Sequence, residues 1–332
     1  MTELAIHPVG LRDLTALPRA AQVLVPLSYP EVAFATPSGG WLAALPSPLH
    51  HLHAFLAESD SPHGLAVARS ESGDFRWLLE SLGAAASAET PLADLWTGLL
   101  SHLVTTAGLS GAKRVHADSP QEGPVHDALA RAGFSAYARE TLLLAQGLHP
   151  AGVEEVCVRA QEPSDAWSIH HLYHLVTPKA VQYSQAFTST HWHAGRRLRN
   201  SNRGYVVERD GTVVSYCRVF TNGRQVAIET MAMPEELDTL PALVLRTARA
   251  AGIGQGGQVW AAVPDYHSEY IAKLESIGFS PVDRRALMVR YTGVPVAAVE
   301  RKILTLVSSV AERLPSRAPA RPPAPAGTQV RI

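Results

Sequence analysis

Leu129-x-x-x-Gly133-Phe134-Ser135-x-x-x-Arg139-x-x-Leu142 and Leu274-x-x-x-Gly278-Phe279-Ser280-x-x-x-Arg284-x-x-Leu287 align without a gap, and the repeat they form decides the fold. Upstream, Val115-x-Ala117-x-x-Pro120 answers to Val259-x-Ala261-x-x-Pro264, and Leu79-Glu80 answers to Ile228-Glu229, in the same order. A period close to half the chain indicates two fused copies of one domain rather than a solenoid of short repeats. A length of 332 residues fits two domains, each long enough to bury its own core. The expected boundaries are 1–148 and 149–292, followed by a helix over 293–314 and a disordered Pro/Ala/Arg-rich tail over 315–332.

The composition is that of an ordinary globular protein, with 46% hydrophobic and 18% charged residues and a net charge of −1. Such neutrality gives no overall attraction to nucleic acid or to an anionic membrane. No apolar run approaches the roughly 20 residues of a membrane helix, and the N-terminus lacks the basic-then-apolar order of a secretory signal, so a cytoplasmic protein is expected. Cys157 and Cys217 both fall in segments that read as strands, and two thiols alone make neither a disulfide framework nor a four-ligand zinc site. Buried free thiols are expected at both.

The second half reads most clearly. Val153 to Arg159 is β-branched and bounded by turn residues, as a first strand is. Ser164-Asp165 then caps a helix in which Ile169, Leu172, Tyr173 and Val176 recur at helical spacing up to Thr177-Pro178, and a weaker helix follows from Lys179. Gly204 to Glu208 and Thr212 to Phe220 flank Asp210-Gly211, a pair suited to a tight hairpin turn. A strand from Gln225, a helix from Thr239, a strand from Gln258, a helix from His267 and a strand from Arg284 complete the order β-α-α-β-β-β-α-β-α-β, a mixed sheet flanked by helices. The first half follows the same order, with helices from Arg12 to Val23 and around His50 to Leu56, and with one hairpin strand poorly defined.

This order, together with the Pro after the penultimate strand and the Leu-x-x-x-Gly-Phe that closes the last helix, resembles the GCN5-related N-acetyltransferase superfamily. The resemblance covers about Leu4 to Leu144 and Val153 to Thr292 as a tandem pair. It implies an α/β fold of two acyl-coenzyme A N-acyltransferase-like domains, each a mixed, mostly antiparallel sheet flanked by helices. It also implies transfer of an acetyl group from acetyl-coenzyme A, the cosubstrate, to an amine of a small molecule or a protein, without a metal. In such proteins the fourth and fifth strands splay around the pantetheine, and the diphosphate meets free N–H groups at the start of the next helix, where the helix dipole favours an anion.

The expected cofactor contacts on this basis are Leu82, Gly83, Ala84, Ala85 and Ser87 in the first half and Met231 and Met233 in the second. The family's Gly-rich phosphate loop is absent from both. The first-half loop has small residues, whereas Glu235, Glu236 and Asp238 set acids at the second-half anion position. The first half is therefore the better expected binder. The Tyr that many members place four residues before the Gly of Gly-Phe is replaced by Leu129 and Leu274, which leaves Tyr266, with Tyr270 beside it, as the expected acid. Glu80 and Glu229, repeated in the fourth strand, are the expected bases. An amine with a pKa near 10 must lose its proton before it attacks, and a carboxylate suits that task.

Other patterns carry less. His170 and His174 share a helix face, but no Glu or Cys completes a metal set. Gly252-x-Gly254-x-x-Gly257 follows a helix and precedes a strand, the reverse of a dinucleotide turn. The run Arg196 to Arg203 has no interleaved aromatics for nucleic-acid stacking. The alternative to an acyltransferase is an inactive relative whose clefts bind a metabolite or a protein.

Overall fold

The computed structural model describes residues 5–34, 52–58, 64–71, 75–86, 92–150, 152–153, 155–193, 195–196, 201–222, 225–253 and 257–293. The first half runs β1 (Ala5–Pro8), a 3-10 turn, α1 (Leu17–Ala20), β2 (Val23–Pro26), α2 (Glu31–Phe34), β3 (Leu52–Glu58), β4 (Gly64–Glu71), β5 (Arg76–Ala84), α3 (Leu92–Leu109), β6 (Arg114–Pro120), α4 (Pro124–Arg131) and β7 (Ser135–Ala145). The second runs β8 (Val158–Ala160), α5 (Asp165–Val176), α6 (Lys179–Gln185), β9 (Gly195–Arg196), β10 (Ser201–Arg209), β11 (Thr212–Asn222), β12 (Gln225–Ala232), α7 (Thr239–Ala250), β13 (Val259–Pro264), α8 (Glu269–Glu275) and β14 (Phe279–Tyr291). The terminal helix and tail, from residue 294 on, lie outside the described residues.

The two halves share a single 14-stranded sheet in the order β1-β3-β4-β5-β6-β14-β7-β13-β12-β11-β10-β8, with β2 added on β5 and β9 on β10. Each half keeps one parallel pair, β5 with β6 and β12 with β13, while every other pairing is antiparallel. The last strands are exchanged. β14 lies between β6 and β7, and β7 lies between β14 and β13, so each half's final strand pairs with the other half's penultimate strand.

The repeated motif explains this centre. Leu129 and Leu274 are fully buried anchors of α4 and α8. Gly133 and Gly278 then take positive φ of 81° and 104°, the left-handed backbone that ends a helix and turns the chain into the next strand. Phe134 and Phe279 follow into the two cores. Alternation along the strands separates the faces. In β12, Val226, Ile228 and Ala232 pack in the core with α7 and α8, and Met231 packs with α5 on the other side. In β5, Trp77 and Leu79 pack in the core with α3 and α4, whereas Leu78 faces a cavity.

Asp210 and Gly211 both have positive φ, as a primed hairpin turn needs. Three local expectations fail. Leu52 to Glu58 is strand β3 rather than helix, because pairing with both β1 and β4 outweighs local helix preference. The helix expected from Arg12 to Val23 stops at Ala20, and Val23 to Pro26 pairs with β5. Of the described residues in the first strand expected over Val153 to Arg159, only Val158 and Arg159 pair, with Ala160 just beyond them; Cys157 before them is exposed, so of the two thiols only Cys217 is buried.

Candidate functional site

A cavity of about 190 Å³ lies where the two halves meet at the exchanged strands. It is walled by β5, β6 and β7, by Ser28 and Tyr29, by α5, α6 and the turn that carries His191 and Trp192, and by β11, β12 and β13. The repeated carboxylates fare differently. Glu229 lines the cavity, with its Oε2 3.8 Å from Arg218 Nη1. Glu80 is outside it, in an ion pair of 2.6 Å with Arg69.

The parallel pair of the second half holds register as far as Glu229 opposite Ala262 and then parts. Thr230, Met231, Pro264, Tyr266 and His267 line the cavity beside that opening. Burial raises the Tyr266 phenol above its ordinary pKa, with nearby Tyr137, Tyr173 and Glu140 adding to the effect, so the phenol keeps its proton at neutral pH. Tyr29 donates to the Ile228 carbonyl at 2.8 Å and lies 3.2 Å from that of Trp260, next to the point where the strands part. Met233, by contrast, is half-buried beside the core, its N–H donating to Val214 O at 2.9 Å.

The first-half opening is filled by the chain itself. β5 and β6 part beyond Leu78 opposite His116. Leu27 then bridges them: its N–H donates to Glu80 O at 2.8 Å, and its carbonyl accepts the Asp118 N–H at 2.8 Å. β2 continues the bridge, pairing Val23 with Ala84, Leu24 with Gly83 and Val25 with Leu82. Gly83 also accepts the Trp96 indole N–H at 2.9 Å, and a Cβ there would come within 2.5 Å of Ala20 O. The backbone of Leu82, Gly83 and Ala84 is thus committed to internal partners, Ala85 is buried, and Ser87 lies outside the described residues.

In the second half the Tyr270 hydroxyl holds the corresponding strand edge. It accepts the Ala232 N–H at 2.9 Å and donates to the Ala232 carbonyl at 2.8 Å. The acids before α7 have cations beside them: Lys273 Nζ is 2.5 Å from Asp238, and Arg209 Nε is 3.8 Å from Glu236. These offset part of the repulsion that acids at a helix start present to an anion.

The cavity also contains groups that the repeat does not mark. Arg76 donates to Glu71 and lies over the Phe187 ring at 4.4 Å. Arg218 donates to His191 O, and the His191 ring stacks on Phe187 with centroids 3.8 Å apart. Asp118 on β6 accepts from Arg285 Nε at 2.6 Å, and Arg285 lies in register opposite Glu140 on β7. Burial, then the neighbouring carboxylate, raises Glu140 well above the ordinary range; burial raises Asp118 as well, against the pull of Arg285. Burial, with Arg76 next in effect, lowers His116 to about 3, so this imidazole is neutral. The expected histidine pair bonds internally, with His174 Nε2 3.0 Å from His170 Nε2 and the Trp192 indole N–H donating to His170 Nδ1 at 3.1 Å.

No family model matches the chain, and no curated protein matches it significantly. Solved structures do. A tandem GNAT protein from the clavulanic acid biosynthesis pathway, solved without acetyl-coenzyme A, superposes with a TM-score of 0.52 at 14% identity, over 88% of this chain and 99% of that one. A GCN5-related N-acetyltransferase from Sphaerobacter thermophilus gives 0.50 at 11% identity, over 87% of this chain and 96% of that one. The chain has the tandem GNAT fold: a large, mostly antiparallel sheet flanked by eight helices among the described residues. No described helix is long and apolar enough to cross a membrane.

Proposed function

We propose that this protein transfers an acyl group, with acetyl the first candidate, from acyl-coenzyme A to a small amine bound in the cavity. The observation that carries this reading is the contrast between the two openings. The first is closed by residues 23–27, while the second opens onto a cavity that brings Glu229, Met231 and Tyr266 together. In the reaction the amine nitrogen forms a bond to the thioester carbon as the C–S bond breaks. Glu229, directly or through water, takes the proton the amine loses, and the Tyr266 phenol supplies one to the departing sulfur. The second-half residues Met231 and Met233 flank the path of the acyl donor, and Glu80 and the Leu82 to Ser87 loop have no part in it.

A second reading, a ligand-binding relative without transfer, draws support from Tyr270, whose hydroxyl already satisfies both polar groups of Ala232. Titration calorimetry with acetyl-coenzyme A separates the two. Heat fitting one site per chain supports the acyltransferase, whereas no binding at millimolar ligand sinks it. With any accepted amine, Glu229→Gln is expected to lower kcat by about 10²- to 10⁴-fold while leaving acetyl-coenzyme A affinity unchanged. An unchanged kcat would remove Glu229 from the mechanism.

A further inference from the structure

Among the described residues, eight buried side-chain nitrogen or oxygen atoms meet no protein donor or acceptor when both carboxyls are ionised, and five of them, on Ser28, His116, Asp118, Glu140 and His267, belong to residues that line the cavity; of these, Asp118 and Glu140 can bond each other only by sharing a proton. Folded proteins leave few buried polar groups unpaired, so this concentration points to a ligand that brings the partners. Four of the five residues lie in the first half, whereas Glu229 lies in the second. Asp118 and Glu140 offer carboxylate oxygens, Ser28 a hydroxyl oxygen, and His116, held neutral, a ring nitrogen that accepts in the appropriate tautomer. All four are at least nine-tenths buried. Charge agrees with this chemistry. Around the cavity four carboxylates, of Glu71, Asp118, Glu140 and Glu229, face three guanidinium groups, of Arg76, Arg218 and Arg285.

We propose that Ser28, His116, Asp118 and Glu140 form a subsite for an ammonium group of the acceptor, distinct from the amine that reacts beside Glu229, so that the acceptor is a small diamine. The subsite rests on reading the cavity as the acceptor site. A cavity of about 190 Å³ holds on the order of six waters' worth of ligand, which suits a short diamine. With the diamine absent, Asp118 and Glu140 are satisfied by one proton held between them, as two adjacent buried carboxyls require. The incoming ammonium takes that place, and the displaced proton passes to the buffer.

The test is calorimetry on the full chain at about pH 7.5 with 1,4-diaminobutane and, as control, butylamine. The diamine is expected to bind about tenfold or more tighter than the monoamine, with an enthalpy that changes between phosphate and Tris because a proton is released. Glu140→Gln is expected to reduce the preference to about twofold, and Ser28→Ala to lower it by about threefold. Equal wild-type affinities, no binding of either amine at about 10 mM, or a preference that survives Glu140→Gln would overturn the subsite. Should Glu140→Gln fail to fold by thermal melt, an unchanged preference in Ser28→Ala overturns it instead. Diamine binding in a protein that binds no acetyl-coenzyme A would leave the subsite standing and remove only the acyl-transfer reading.

Discussion

Glu140→Gln is also a stability experiment whose sign the structure dictates. Glu140 is buried between Asp118, Arg285 and the strand edge of Pro264, and its carboxyl is raised well above its ordinary 4.5 by burial first and by Asp118 next. A carboxyl with a raised folded-state pKa contributes stability that is complete below its unfolded value and is lost as pH rises through the folded value. The loss reaches about 1.4 kcal/mol per pH unit while the folded state holds one proton more than the unfolded chain. Gln cannot ionise, and its amide donates to Asp118 as the protonated acid does. Near pH 4.5 the two proteins should therefore be close in stability, and above it the variant should become progressively the more stable. Other groups also titrate. His116, lowered from 6.5 to about 3, and His267, likewise lowered by burial, cost both proteins stability as pH falls below 6.5. That contribution cancels in the difference between wild type and variant, which is the quantity to measure, by urea unfolding followed through tryptophan fluorescence from about pH 5 to 8. A difference that stays flat with pH, or that turns in favour of the wild type as pH rises, would refute the buried-dyad argument.

Removing the Tyr270 hydroxyl with Phe leaves the Ala232 N–H and carbonyl buried without a partner, so unfolding free energy should fall by about 1–3 kcal/mol; a loss under half of that would mean that water or an acyl donor reaches this edge freely. The same variant is expected to bind acetyl-coenzyme A more tightly if the pantetheine takes over those two groups, which titration calorimetry reads directly. Gly83→Ala sets a Cβ 2.5 Å from Ala20 O and 3.2 Å from Leu65 Cβ, and should cost about 1–3 kcal/mol in chemical unfolding, since α1 and β2 must shift to admit it. A neutral result would show that β2 does not sit firmly in the first-half opening.

Much of the fold is legible in the repeat because the repeated residues are the ones the backbone demands. Leu129 and Leu274 fill cores, Gly133 and Gly278 supply the left-handed turn, and Pro120 and Pro264 end parallel strands. The strand exchange is not legible, because a strand's period marks its buried face and says nothing of which neighbour it pairs with. β2 escaped for a related reason. Val23 to Pro26 is too short to outvote the helical run before it, and only the gap between β5 and β6 makes it a strand. Of the expected catalytic groups, Glu229 and Tyr266 meet at the cavity and Glu80 does not, although Glu80 and Glu229 are equally strong as sequence signals.

The residues that reading missed sit in the unrepeated positions. β7 and β14 pair about a local two-fold, so Glu140 faces Pro264 exactly as its counterpart Arg285 faces Pro120, and the two are also in register with each other. Asp118, one residue beyond the repeated Ala117, has Ala262 as its counterpart. A symmetric pair of acids or of arginines at 140 and 285 would place like charges opposite each other on neighbouring buried strands, which is costly. Opposite charges remove that cost, and the Asp118 to Ala262 difference draws Arg285 toward one side, leaving Glu140 with an oxygen directed at no protein donor. Breaking the symmetry at these two pairs therefore creates the polar wall, while β2 fills the opening of the first half. The repeat supplies two like scaffolds, and the unequal residues on them leave one opening closed by Leu27 and β2 and the other bordering the cavity.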